Sequence, residues 1–132
     1  MRTLLIDTNI VSILFLPHHA LYQKCTDEIG DWHCCISFMT RGELLLWPKV
    51  NRWGNARRLK LSQHITKYTT LLPDEEMCET WADVMSESRR VGRPMEAPDA
   101  WIAATAVRWD LPLLTADYRD FNHLDGLTLI PI

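Results

Sequence analysis

The chain has 132 residues, 47% of them hydrophobic and 23% charged, with a net charge of −3 at neutral pH. That is enough for one domain (1–132) with a sizeable apolar core, and it excludes collagen-like and disordered classes. No apolar run approaches the roughly 20 residues of a membrane helix, and Asp7 interrupts any signal-like apolar start, so a cytoplasmic protein without a membrane role is expected.

Short apolar runs alternate with longer helical patterns, which predicts an α/β fold with a mainly parallel sheet. Arg2–Ile6 reads as a buried first strand. Thr8 or Asn9 then caps a helix that reaches Leu16, where Pro17 stops it. Ala20–Ile29 forms a second short helix, and His33–Ile36 the second strand. A helix starting at Ser37 or Thr40 runs through Leu44–Trp47 and is ended by Pro48. Arg52–Lys67 is expected to be a polar, basic helix, followed by the strand Thr69–Leu72. In Glu75–Val91, Met77, Trp81, Val84, Met85 and Ser88 recur at helical steps, and Gly92 ends the pattern. Pro98 and Asp99 open a helix through Arg108, Pro112–Thr115 is a fourth strand, and Leu127–Pro131 closes the sheet at its edge. No internal repeat or linker divides the chain.

Four acidic residues border these elements: Asp7 in LLIDTNI, Glu43 in TRGELLLW, Asp99 in APDAWIAATA and Asp117 in LLTADYRDF. Each has a bland explanation. Asp7 or Asn9 can cap a helix, Thr40 and Glu43 can form a capping box, Asp99 suits a helix dipole, and Asp117 or Asp120 can make an Asx turn. Together they are harder to dismiss. All four are expected at one edge of one sheet, where the carboxyl ends of parallel strands form sites. Carboxylates gathered there repel one another unless a hard divalent cation, held by oxygen ligands, compensates.

The four cysteines, Cys25, Cys34, Cys35 and Cys78, make no CxxC pair and are read as buried, reduced thiols; zinc is not expected. Cys34 and Cys35 are adjacent in a strand and should point to opposite faces. The five histidines are scattered, which opposes a histidine-pair mechanism. An isoelectric point of about 5.9 argues against a general nucleic-acid binder, although several of the negative charges are the acids above.

The blocks LLIDTNI, TRGEL, GRP–APDAWIAATA and LLTADYRDF, in this order and spacing, resemble the PIN-domain ribonucleases, and within them the VapC-type toxins of bacterial toxin–antitoxin pairs. The resemblance spans nearly the whole chain. It implies a three-layer α/β/α sandwich, Mg²⁺ or Mn²⁺ as cofactor, hydrolysis of RNA phosphodiesters, a homodimer, and a cognate antitoxin that covers the site. Asp7, Glu43, Asp99 and Asp117 match the family's acidic quartet, and Thr8, Asn9 and Thr115 look like supporting polar groups. The family often has Asn at the place of Asp117 and an acid at the place of Asp120, so the fourth acid is one or the other. Phe15 and Leu16 fall where the family forms its antitoxin groove and part of its dimer contact.

On this reading Asp7 and Asp99 bind the principal ion, while Glu43 and Asp117 hold its waters or a second ion. Arg89, Arg90 and Arg93 are candidates to touch the RNA. Lys49, Arg52, Arg57, Arg58, Lys60 and Lys67, with Trp47 and Trp53 among them, are either a second RNA grip or a solvated helix face over core tryptophans. Six tryptophans exceed what one small core needs, so some are expected at an interface. Two rivals remain: a catalytically silent RNA- or protein-binding module, and a receiver- or phosphatase-type phosphoryl-transfer domain. The second needs a late lysine, and none follows Asp99.

Overall fold

The structure, a computed structural model, describes residues 2–132. Five strands, β1 (Thr3–Ile6), β2 (His33–Ser37), β3 (Thr69–Leu71), β4 (Leu113–Thr115) and β5 (Leu129–Pro131), form one sheet in the order β3-β2-β1-β4-β5. Every neighbouring pair is parallel. Around it lie α1 (Thr8–Phe15), α2 (Tyr22–Ile29), α3 (Phe38–Val50), α4 (Asn55–Ile65), α5 (Glu75–Arg90), α6 (Ala97–Trp109) and the single turn α7 (Tyr118–Phe121). None of these helices is long and apolar enough to cross a membrane.

The two-residue period of the strands sorts the core into two layers. Leu4, Ile6, Ile36 and Leu114 face α1, α2, α3 and α4, where they meet Ile10, Val11, Leu44, Leu61 and Ile65. Leu5, Cys35 and Leu113 face the opposite layer, with Val84, Ile102, Ala103 and Phe121 from α5, α6 and α7. Cys34 and Cys35 divide between the layers, as alternation requires. All four cysteines are free thiols, but Cys78 lies exposed on α5 rather than in the core. Met77, one position before it and turned by about 100° around the helix, is buried instead.

Pro48 does not end α3, which continues to Val50. Pro48 has no N–H for the Leu44 carbonyl, and its own carbonyl is taken up by the Trp53 N–H at 3.0 Å and by Arg58 Nη2 at 3.1 Å as the helix ends. The next helix accordingly starts at Asn55, after a turn in which Arg52 adopts φ 52°. Trp53 stacks on Phe15 with Arg57 over its outer face, and Trp47 packs on the same core layer, so both are packing residues.

β1 is the centre of the sheet, and chain connections leave it towards β2 on one side, while β4 continues to β5 on the other. The crevice between the carboxyl ends of β1 and β4 is therefore the topological switch point. The turn α7, too short to be stable alone, is held beside that crevice by fully buried Phe121. We expect Phe121→Ala to lower stability by about 3–5 kcal/mol in urea unfolding. A loss below about 1 kcal/mol would mean that α7 lies outside the cooperative core.

Candidate active site

Asp7 leaves β1 and caps α1, and it is only 5% exposed. Its Oδ1 accepts the Thr8 backbone N–H at 2.7 Å, and its Oδ2 accepts the Thr115 hydroxyl at 2.8 Å. Thr115 ends β4, and its hydroxyl also accepts the Asp117 N–H at 2.9 Å. Asn9, on the first turn of α1, donates to Asp117 Oδ2 at 2.8 Å, while its own Oδ1 takes the Ala116 N–H at 3.4 Å. The β4–α7 loop is thus laced to the end of β1 by three side chains.

Glu43 reaches the same edge from α3. Its Oε1 accepts the Thr8 hydroxyl at 2.8 Å. The capping box that was the bland alternative for Thr40 and Glu43 does not form. Ser37 is the cap, accepting the Thr40 N–H at 3.0 Å, which puts Glu43 in the second turn with its carboxylate turned across to α1. Asp99 lies in the first turn of α6, which is buried on several sides by Ala100, Ala103, Ala104 and Ala106; small side chains let the helix approach closely.

Burial and mutual charge act on these carboxyls together. Burial pushes the Asp7 pKa up to about 6 from the ordinary 3.8, opposed by the bonds from Thr115 and Thr8, and the charges of Asp117 and Glu43 raise it further. Asp99 is also pushed up to about 6, first by burial and then by Asp7, Asp120, Glu43 and Glu96. Among the described residues no three acidic, imidazole or thiol side chains are already closed around a point that would hold a metal. The donor set nevertheless fits a hard cation. It consists of carboxylate and hydroxyl oxygens, and a positive charge would offset the burial, and then the repulsion, that raise Asp7 and Asp99.

The two candidates for the fourth acid separate. Asp117 is tied to Asn9 and acts on Asp7, whereas Asp120 acts on Asp99. Asp99 and Asp120 line a cavity of about 460 Å³ with Glu96, Arg93, Arg119 and His123. Of the three candidate arginines, only Arg93 is brought here. Its guanidinium donates to Asn122 Oδ1 at 2.7 Å and to the Arg119 carbonyl. Arg90 is paired with Glu87 on α5, and neither it nor Arg89 lines this cavity.

Arg119 and His123 were missed in the sequence. Both sit on the unforeseen turn α7 or just after it, and no periodic signal marks so short an element. His123 Nε2 lies 2.9 Å from Ser88 Oγ, and its pKa is lowered from the ordinary 6.5, chiefly by burial and then by Arg93. His64 is a buried packing residue, pushed down to about 4 by burial and then Lys67, and it stacks edge-on against Phe15 and Tyr68.

The family described as PIN domain matches residues 4–127, a span containing every acid above. The chain belongs to the PIN-domain family. Among relatives of this PIN domain, Ribonuclease VapC4 of Mycobacterium tuberculosis is 32% identical over 108 residues, covering 80% of this chain and 82% of that protein. Ribonuclease VapC1 of Haemophilus influenzae is 23% identical over 126 residues, covering 93% and 92%. In fold, the PIN domain superimposes on a chain of the VapBC2 structure from Rickettsia felis, solved bound to a promoter DNA fragment, with a TM-score of 0.86. That match covers 98% of both chains at 17% identity.

The raised carboxyl pKa values have a stability consequence. Between the ordinary 3.8 and about 6, folded protein holds protons at Asp7 and Asp99 that unfolded chain has released, so stability falls as pH rises through this window. For Asp7 alone this amounts to roughly 2–3 kcal/mol, with less from the more exposed Asp99. In EDTA, Asp7→Asn should therefore narrow the difference in melting temperature between pH 5 and pH 7.5. An unchanged difference would show that Asp7 is not the strained group.

Proposed function

We propose that this PIN domain is a metal-dependent endoribonuclease, the toxin of a bacterial toxin–antitoxin pair, hydrolysing RNA phosphodiesters at the switch-point crevice. One observation carries the reading: a buried Asp7 carboxylate at the end of β1, with Asp117 tied to its partner Thr115 and Glu43 tied to the adjoining Thr8. The names of the relatives, Ribonuclease VapC4 and Ribonuclease VapC1, support RNA as the substrate. Solved structures of similar fold, the Rickettsia felis VapBC2 complex among them, support a cognate antitoxin as partner.

We assign Asp7 and Asp99 as the principal ligands of Mg²⁺ or Mn²⁺. Asp117, steered by Asn9, completes the set beside Asp7, and Asp120 serves the Asp99 side. A divalent cation bound there would lower the pKa of a coordinated water and offset phosphate charge. The protein's own groups do the rest. Thr115 and the Thr8 N–H hold both Asp7 oxygens at fixed angles, so the carboxylate cannot swing away from the crevice. Arg93 is occupied in tying Arg119 and Asn122 together, which leaves the Arg119 guanidinium as the cavity's group for an RNA phosphate.

Partner surfaces have a physical basis as well. Phe15, Leu16 and Pro17 line an apolar cleft of about 550 Å³ with Ala56, Arg57 and Lys60, which suits an antitoxin segment. Leu45, Leu46 and Val50 on α3 and Leu59 on α4 are exposed and available for a second copy or the antitoxin.

The decisive experiment is cleavage of total RNA by purified, antitoxin-free protein with Mg²⁺ or Mn²⁺, then with EDTA. Discrete fragments are expected with metal and none with EDTA, and Asp7→Asn should lower the rate by more than about 100-fold while remaining folded. A folded protein without activity in either metal would replace the nuclease with a silent binding module. Arg119→Ala should weaken RNA binding and lower the slope of log affinity against log salt by about 0.7 to 1. An unchanged slope would remove Arg119 from the RNA contact.

A further inference from the structure

Three hydroxyls lead from the start of α3 to Glu43. Ser37 Oγ lies 3.3 Å from Thr40 Oγ1, Thr40 Oγ1 lies 2.9 Å from Thr8 Oγ1, and Thr8 Oγ1 lies 2.8 Å from Glu43 Oε1. Ser37 and Thr40 are wholly buried.

Each hydroxyl owns one proton, and this decides the direction of the chain. The Thr8 hydroxyl donates to Glu43 Oε1, so the Thr8 proton is committed to Glu43. Thr8 must then receive from Thr40, which uses the Thr40 proton. Only the Ser37 proton is left to fill the contact with Thr40, and Ser37 Oγ is free to give it because it accepts the Thr40 N–H at 3.0 Å. The polarity runs one way, from Ser37 to Glu43. Successive donors polarise one another, so the last bond is the stronger for the two behind it.

We propose that Thr40 and Ser37 are positioning residues, which act through the Thr8 hydroxyl to hold the Glu43 carboxylate at the face of Asp7 and Asp99. Helix capping does not account for the arrangement. The cap uses Ser37 Oγ and the Thr40 backbone, and valine would fill the Thr40 volume in a helix equally well. A buried hydroxyl costs free energy unless it is bonded on both sides, and here both bonds point along the route to Glu43. The charge of Glu43 is felt at both Asp7 and Asp99, so an error in its placement reaches the whole crevice.

The inference rests on the nuclease reading for what Glu43 does there, and the test keeps the two apart by measuring Mn²⁺ binding as well as RNA cleavage. Thr40→Val removes the middle hydroxyl, and Thr40→Ser restores it without the methyl. Thr40→Val is expected to lower kcat by about 10–100-fold and to weaken Mn²⁺ binding, read by electron paramagnetic resonance, by about tenfold. KM for RNA should change less than about twofold, because no RNA contact is lost. Thr40→Ser should return both kcat and Mn²⁺ affinity to within about threefold of wild type. A purely structural role would lower the melting temperature of both variants and give no recovery of Mn²⁺ binding by serine. If Thr40→Val does not fold, Thr40→Ala is read against Thr40→Ser in the same assays. Wild-type kcat and Mn²⁺ affinity in the folded Val or Ala variant would overturn the proposal. Wild-type protein that binds Mn²⁺ but cleaves no RNA would overturn the nuclease reading, and the Mn²⁺ arm would still decide the hydroxyl chain.

Discussion

The burial of one carboxylate organises this molecule. Asp7 stands at the end of the central strand, where the chain must turn into α1, and almost none of it meets water. Desolvation alone would favour the neutral acid. The N-terminus of α1 and two hydrogen bonds favour the ion, but Glu43 and Asp117 oppose it, and the balance leaves the pKa at about 6. A group so poised is unstable as an isolated charge and well suited to a cation. Thr115 and the Thr8 N–H satisfy that carboxylate, and Asn9 steers the neighbouring Asp117.

The two core layers divide the remaining work. The α1–α4 layer delivers Thr8, Asn9 and Glu43, whose positions depend on hydroxyls and amides bonded to one another. The α5–α7 layer delivers Asp99 and the arginine-lined cavity, whose positions depend on packing: the alanine face of α6 on the sheet, and Phe121 beneath α7. A parallel sheet makes the division possible, since all its strands present their carboxyl ends to one edge. At the switch point the two layers part and leave a crevice between them.

Most elements were legible in the sequence because each carries its signal locally. Apolar runs of strand length, the helical recurrence from Met77 to Ser88 and the alanines of α6 depend on neighbours a few residues away. One expectation failed, that Pro48 ends α3, and two further features carry no local signal. Pro48 lies inside α3, and Trp53 and Arg58 take up its carbonyl where the helix ends. Thr40 and Glu43 make no capping box because the cap is Ser37 and the partner of Glu43 comes from α1. The turn α7 forms because Phe121 is buried by α5 and α6, and no single turn announces itself in sequence. In each, a contact from outside the element completes it: Arg58 on the Pro48 carbonyl, Thr8 on Glu43, and the core around Phe121.

The site divides along the same line. Residue types and their order determined that carboxylates would border the strands of a parallel α/β fold, because burial patterns and strand ends are written in local composition. Only the tertiary structure decided which groups meet. It placed Asp117 with Asp7 and Asp120 with Asp99, brought Arg93 and Arg119 into the cavity, and left Arg89 and Arg90 outside it. Arg89 to Arg93 lie within five residues of each other, yet they separate as α5 ends and the chain turns towards α6. Hydrogen bonds and charge interactions act over a few ångströms of space, and distance along the chain does not report that separation.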